Sequence, residues 1–313
     1  DKQDIAHLFY DIPKEAALTL DKADLKYNLK RLKEISPKLL LCVHCEDTDV
    51  FRSLERELKA TPGLPDDLVT FEKSRPTFVE TACVADSMFL NSVVGGNMYV
   101  VHTAAGSTVD MYETIEKQFP SKVTLETCPQ YLTLTNQAKA GLLAKVNPPL
   151  HSQSDIERLW KGIAEGSVKT MGTDNVPVRK EKRFERGTGV WDVFVGFGGP
   201  GMILPTLISE GYHKRGIPLW RLSQVNSINA ARIFNLPSKG EIKVGFDADL
   251  AIVDLDWERT IDETLFGDSD FSIYEGMTFK GWPRYTISRG TVIQKDGVIT
   301  AECGRGKYIR RSI

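Results

Sequence analysis

Leu39-Leu40-Leu41-Cys42-Val43-His44, Met98-Tyr99-Val100-Val101-His102 and Val168-Lys169-Thr170-Met171-Gly172-Thr173-Asp174 are strand-like runs. Two end on histidine and one on aspartate. Runs of this kind read as buried parallel strands. In an α/β barrel the functional side chains stand where the strands stop. Two imidazoles and a carboxylate at three strand ends therefore point to one convergent metal-binding or acid/base site.

The segments between the runs alternate with them. Leu25, Leu29, Leu32 and Ile35 repeat at helical spacing over 21–35, and Pro37 stops the run. Helices are predicted over 50–60, 80–94 (closed by Gly95-Gly96) and 107–118, then a strand over 122–128. Cys128-Pro129-Gln130-Tyr131 and Asn147-Pro148-Pro149 fall in a long loop, and the Ser154 hydroxyl is expected to cap a helix over 154–166. Residues 177–201 hold eight glycines and prolines, the composition of a long active-site loop. Helical segments resume at 202–210 and 219–234. From Lys239 the period changes to two, with strands expected at 241–245, 251–254, 285–287 and 291–293. This count gives four parallel-type strands and none ahead of the first helix, where a closed barrel needs eight. The expectation is a chain that begins partway through a barrel.

The bulk properties narrow the function. The 313 residues carry a net charge of −2, which gives no reason to expect nucleic acid or an anionic membrane as partner. No apolar stretch is long enough to span a bilayer, and Asp1-Lys2-Gln3-Asp4 is not a secretory signal. Five cysteines, an odd and sparse count, favour reduced thiols in a cytoplasmic protein. Cys42 and Cys45 are three apart on a strand, so they point to opposite faces and read as packing. Cys128 has no histidine beside it in sequence and reads as structural. Asp247 and Asp249 read as turn formers.

A site of this kind can generate a strong nucleophile near neutral pH. A metal supplies one by lowering the pKa of bound water to about 7. Neutral imidazoles suit zinc, and a carboxylate at the same place can bind metal and accept a proton. His44, His102 and Asp174 meet those demands. Taken singly, a strand-end histidine also reads as a satisfied core residue, and an aspartate after Gly-Thr as a turn cap.

Several motifs occur in a fixed order: Val43-His44-Cys45-Glu46, Arg75-Pro76, Val101-His102, Glu126-Thr127-Cys128-Pro129-Gln130-Tyr131, Asn147-Pro148-Pro149-Leu150, Gly172-Thr173-Asp174, Lys239-Gly240-Glu241-Ile242, Val244-Gly245-Phe246-Asp247-Ala248-Asp249-Leu250 and Glu275-Gly276-Met277. The set resembles the dihydropyrimidinase, hydantoinase, allantoinase and dihydroorotase group of the amidohydrolase superfamily, from about residue 39 to the end. The resemblance implies an α/β fold, a (β/α)8 TIM-like barrel represented by about its second half, with the C-terminal part of a flanking β-sandwich. Residues 1–235 would be the barrel portion (strands five to eight) and 236–313 the sandwich portion and tail.

It also implies a metal-dependent hydrolase that opens the C–N bond of a cyclic amide: a hydantoin, a dihydropyrimidine or a related ureide or imide. His44 and His102 resemble metal ligands ending the fifth and sixth strands. Asp174 resembles the eighth-strand ligand that doubles as general base. Asn147 and Gly199 would touch substrate. The implied cofactor is a divalent metal, two zinc ions with a carboxylated lysine outside this segment. The implied assembly is a homodimer or homotetramer. Departures are the absence of His-x-His, Asn175 where relatives carry histidine, Phe197 where a polar amide is usual, and His151 where arginine is frequent. They leave an alternative open, a non-catalytic relative kept for binding or assembly.

Overall fold

The computed structural model describes residues 5–8 (as backbone), 21–267 and 269–312. The opening residues 1–4 lie outside them. The chain first builds a parallel sheet with its connecting helices: β1 (Ile5–Leu8), α1 (Lys22–Ile35), β2 (Leu40–Val43), α2 (Thr48–Lys59), α3 (Leu68–Ser74), α4 (Thr77–Val94), β3 (Asn97–Val100), α5 (Gly106–Gln118), β4 (Lys122–Thr127), α6 (Pro129–Thr133), α7 (Gln153–Glu165) and β5 (Val168–Met171). All strand pairs are parallel, and the order β1-β2-β3-β4-β5 follows the sequence. Sequential parallel pairing with a helix in each connection makes this part an α/β unit.

The expected four parallel strands are thus five among the described residues. Ile5-Ala6-His7-Leu8 pairs Ile5 with Leu40 through Leu8 with Val43. Four residues are too few to show a period. This strand, on the outer side of β2, carries no lysine.

Strand periodicity sorts the core into two layers. Leu41, Val43, Met98, Val100, Val123 and Leu125 pack outward with Leu25, Leu29, Val84, Met88 and Tyr112 of the helices. Leu40, Cys42, Tyr99 and Val101 pack on the opposite face, against Ile233 and Phe234. Cys42 and Cys45 accordingly belong to different layers. Polar groups fix the helix ends. Asp21 accepts from the amides of Ala23 and Asp24 at 2.7 and 2.8 Å, and Gly95 closes α4 at φ 70°. The cap of α7 is Ser152, not Ser154: Ser152 and Asp155 form a reciprocal capping box.

Two further segments differ from expectation. Pro129 opens a short helix inside the predicted long loop, since its fixed φ suits a first helical turn. Residues 241–245 alternate like a strand but form none. Ile242 and Val244 are fully exposed, and Gly240 and Gly245, at φ 88° and 90°, turn the chain at either side. The loop after β5 contains the short helix α8 (Lys180–Arg183). Helical and π-helical turns follow over Ile203–Thr206, Leu207–His213, Leu219–Ser223, Gln224–Ile228 and Asn229–Ile233.

The chain ends in an antiparallel sheet of β6 (Leu250–Thr260), β7 (Thr278–Ser288), β8 (Thr291–Lys295) and β9 (Val298–Ile299). Phe271, Ile273, Tyr274, Phe279 and Trp282 join Trp160, Leu159, Leu207 and Leu132 in the largest core cluster, which ties this sheet region to the α/β part. Lys239 pairs with Asp247 at 2.9 Å and with Asp249, whose carboxylate also accepts from the Arg289 amide. These two aspartates hold a turn.

Candidate active site at the carboxyl edge of the parallel sheet

His44 follows β2 directly, His102 follows β3 by two residues, and Asp174 follows β5 by three. All three therefore sit at the carboxyl edge of one sheet. His44 and His102 are buried and meet edge to face, with Nδ1 of His44 3.1 Å from Nε2 of His102. Behind His44, its Nε2 lies 2.8 Å from Oε2 of Glu46, and that same oxygen accepts from Arg75 at 2.7 Å. The Arg75 guanidinium lies 3.8 Å from the Phe51 ring centroid. Burial works against ionisation of Glu46. Arg75 and the contact with His44 overcome it and hold the carboxyl down at about 2.

His102, Asp174 and Glu126 line a cavity of about 400 Å³ with Tyr99 and Phe234 at its apolar side. Asp174 is half-buried, and burial pushes its carboxyl up to about 6, with the charge of His44 acting the other way. His102 and Asp174 both adopt left-handed backbone, at φ 43° and 48°. Such strain in non-glycine residues gathers at functional sites.

Glu126 supports this geometry from inside β4. Its carboxylate accepts from the backbone N–H of His102 at 3.1 Å and from the Tyr99 hydroxyl at 2.7 Å, while Tyr99 also meets Thr170 at 2.7 Å. Burial raises the Glu126 carboxyl, and Asp174 adds to the rise. A Cβ on Gly172 would lie 2.5 Å from Oε2 of Glu126, so glycine is what lets the carboxylate sit there.

The other two expected site residues stand apart from this cavity. Asn147 is buried, precedes Pro148 through a cis bond, and lines a second cavity that also includes Arg75. Gly199 donates its N–H to Oδ1 of Asn175 at 3.1 Å, beside Asp174, and lines neither cavity. Cys128 is fully buried, and its thiol is raised by that burial, which fits a structural thiol. Glu46, Arg75, Glu126 and Tyr99 were assigned no role from the sequence. The available signal was Glu126 as the one carboxylate of a largely buried strand, and Glu46 two residues past a strand-end histidine.

Among the described residues no group of three or more His, Cys, Asp or Glu side chains is arranged to hold a metal ion. The histidine pair nevertheless fits one. Zinc–nitrogen bonds of roughly 2.0–2.1 Å place neighbouring ligand atoms about 3.4 Å apart in a tetrahedron, close to the spacing of His44 Nδ1 and His102 Nε2. The carboxylate behind His44 is the kind of outer partner that fixes a ligating imidazole.

Residues 82–293 match the model of the amidohydrolase family. Relatives include an allantoinase of Rubrobacter xylanophilus, 33% identical over 271 residues, and an L-hydantoinase of Paenarthrobacter aurescens, 30% identical over 276. These matches cover 85% and 87% of this chain but 59% and 60% of the relatives, so the chain spans about six tenths of their length. Among solved structures, a D-hydantoinase from Bacillus sp. AR9 superposes with a TM-score of 0.90 at 29% identity, covering 99% of this chain and 68% of that one. A dihydropyrimidinase from Brevibacillus agri gives 0.90 at 28%, covering 99% and 67%. The chain belongs to the amidohydrolase family, in its group of allantoinases, hydantoinases and dihydropyrimidinases.

Proposed function

We propose that this chain carries part of the active site of a metal-dependent hydrolase that opens the C–N bond of a cyclic amide such as a hydantoin, a dihydropyrimidine or a related ureide. The observation that supports this most is the His44–His102 pair, set at metal-ligand spacing and backed by Glu46. His44 and His102 would hold one divalent ion and Asp174 would help hold a second. Bound metal supplies Lewis acidity and a nucleophilic hydroxide at neutral pH. Glu46 orients the His44 ring, and Arg75 keeps that carboxylate charged. Glu126 fixes the His102 backbone. Asp174 takes the proton from the attacking water and returns it to the ring nitrogen as that nitrogen leaves. Asn147 and the Gly199 loop would hold the ring.

The finer features of the reading follow the longer relatives. We infer two zinc ions, further ligands including a carboxylated lysine from sequence beyond this stretch, and a complete (β/α)8 barrel of which 1–235 form a part. Residues 236–313 would belong to a β-sandwich. A homodimer or homotetramer in the cytoplasm is the expected setting; among the described residues no helix is long and apolar enough to cross a membrane. No observation favours the non-catalytic alternative.

The test is metal content and turnover of the full-length polypeptide. Mass spectrometry of the purified protein should find zinc bound in stoichiometric amount and reduced in His44→Asn. Hydantoin, dihydrouracil and allantoin should be screened for ring-opened product. A protein that takes up no metal and opens none of these rings would refute the assignment.

A further inference from the structure

Two of the five cysteines meet behind the histidine pair. Side chains alternate past the end of β2, so Cys45, two residues after Val43, turns to the helix layer and is buried in the same core cluster. Cys83 lies in the middle of α4 and packs against that cluster. A backbone contact sets the register between them. The Asp47 N–H donates to the Val79 carbonyl at 3.2 Å, and Val79, Cys83 and Ser87 follow at single-turn intervals on one face of α4. Residues 45–47 thus run along that face. Both Cys83 and Ser87 act on the Cys45 thiol, with Cys83 foremost.

The pair is reached from one side. Cys45 is 2% exposed, whereas Cys83 is half-buried and lines a cavity of about 240 Å³ beside the first turns of α1 and α2. Asp21, Asp47, Asp49 and Asp86 line that cavity, with Lys22 paired to Asp86. An anionic disulfide such as oxidised glutathione is repelled by such a lining, and a small neutral oxidant is not.

We propose that Cys45 and Cys83 are a modification site, at which a small neutral peroxide makes a disulfide that is felt at His44. The Cys83 thiolate attacks one peroxide oxygen and the O–O bond breaks. The departing hydroxide leaves as water with the proton that the thiol gave up. The Cys45 sulfur then displaces the hydroxyl of the Cys83 sulfenic acid, which leaves as water with the Cys45 proton. One peroxide is reduced to two waters while two thiols are oxidised to one disulfide, and an added dithiol reverses the change. Bonded sulfurs lie closer than thiols in contact. Val84 and Met88, fully buried, anchor α4, so the adjustment falls on the segment that carries His44 and Glu46. Metal ligands tolerate displacements of only about 0.2 Å, and the disulfide therefore weakens metal binding at the His44–His102 pair. That consequence rests on the ligand role proposed for His44 above; the disulfide itself does not.

The full-length protein, purified reduced, is treated with hydrogen peroxide or with oxidised glutathione and mapped by mass spectrometry without reductant. Peroxide should give a peptide pair joined through Cys45 and Cys83, two hydrogen masses light and released by dithiothreitol. Oxidised glutathione at equal concentration should give at least about tenfold less of it. Cys303→Ser, which removes the exposed cysteine, should leave the link intact, and Cys83→Ser, checked for an unchanged melting curve, should abolish it. After removal of metal by chelator and dialysis, zinc should bind the peroxide-treated protein at least about tenfold more weakly than the reduced one. Cys83→Ser should bind zinc as the reduced wild type does, before and after peroxide. Sulfinic acid at Cys83 with Cys45 still reduced, a link to another cysteine instead, or equal linking by oxidised glutathione overturns the proposal. A Cys45–Cys83 link that leaves zinc affinity unchanged overturns its reach to His44. Zinc binding in neither state would count against the metal-site reading, while the mapping would still decide the disulfide.

Discussion

Replacing Gly172 by alanine tests whether Glu126 shapes the active-site edge. The added Cβ would stand 2.5 Å from both Cδ and Oε2 of Glu126 and 2.6 Å from Oε1. A carboxylate at the end of a flexible side chain ordinarily moves aside. This one is buried and held by the Tyr99 hydroxyl and the His102 amide. Displacing it forfeits hydrogen bonds to a charged acceptor, worth about 1.5–3 kcal/mol each. Tyr99 retains Thr170 as a partner, so the loss in Gly172→Ala should be about 2–4 kcal/mol. Glu126→Ala should cost a similar amount. The decisive measurement is the double variant, because without the carboxylate the new methyl has nothing to strike. Urea unfolding of the four proteins should give a double variant no less stable than Glu126→Ala by more than about 1 kcal/mol, a coupling of roughly 2 kcal/mol. Additivity within about 0.5 kcal/mol would refute the argument, since distant independent sites behave that way.

Arg75→Met leaves the Glu46 carboxylate buried without its cation and should cost about 3–5 kcal/mol in unfolding free energy, partly recovered by adding Glu46→Gln. Glu80 gives a pH signature. Burial pushes its carboxyl up to about 7, against hydrogen bonds from Thr108, Ala104 and Ala105. The folded state therefore holds this proton more tightly than the unfolded chain, whose carboxyl titrates at its ordinary value of 4.5. Stability should fall as pH rises from there to about 7, by up to about 3 kcal/mol. Glu80→Gln should remove that slope in denaturation midpoints compared at pH values across the window, and an unchanged slope would exclude Glu80 as its source. Arg183 is fully buried and donates to the carbonyls of Leu142, Leu143, Lys145 and Gly196. Arg183→Met should lower stability by about 3 kcal/mol and speed amide exchange in both loops; protection unchanged there would mean the loops hold without it.

What the sequence made legible was what local pattern controls. The apolar runs before His44 and His102 exist because β2 and β3 are largely buried, and the two histidines stand out as the first polar groups after them, whereas β5, with Lys169 and Met171 half-buried and Thr173 ahead of Asp174, gave a weaker signal. The capping box of α7 was readable too: Ser152 lies three residues before Asp155, whereas Ser154 has no such partner. Contacts across the chain left no local trace. Glu46 gains its role from Arg75, 29 residues away, and Glu126 from His102, 24 residues away. β1 was too short to show a period. The alternation of 241–245 misled because it has no strand beside it, and β pairing depends on that neighbour rather than on propensity.

The left-handed backbone at His102 and Asp174 is the least legible feature, and it ties the fold to the chemistry. A strand that continued past Val100 or Met171 would keep its side chains alternating between the two faces. Turning the backbone at these residues leaves both side chains on the cavity shared with Glu126. Left-handed conformation in such residues costs on the order of 1–3 kcal/mol each and persists only where neighbours enforce it. The neighbours are present: Thr103 N–H donates to the Glu126 carbonyl at 2.7 Å, the Thr127 hydroxyl to the Thr103 carbonyl at 2.8 Å, Gly172 N–H to the Thr127 carbonyl at 2.9 Å, and Gln130 to the Thr173 carbonyl at 3.4 Å. The cross-links run between the ends of β3, β4 and β5, so the strain at each site residue is borne by the adjoining strand. A fold stabilised only for its own sake would have no use for two strained residues on either side of β4 at one edge of the sheet. Their coincidence with the histidine and aspartate picked out by the strand-end pattern is an independent reason to place the chemistry at this edge.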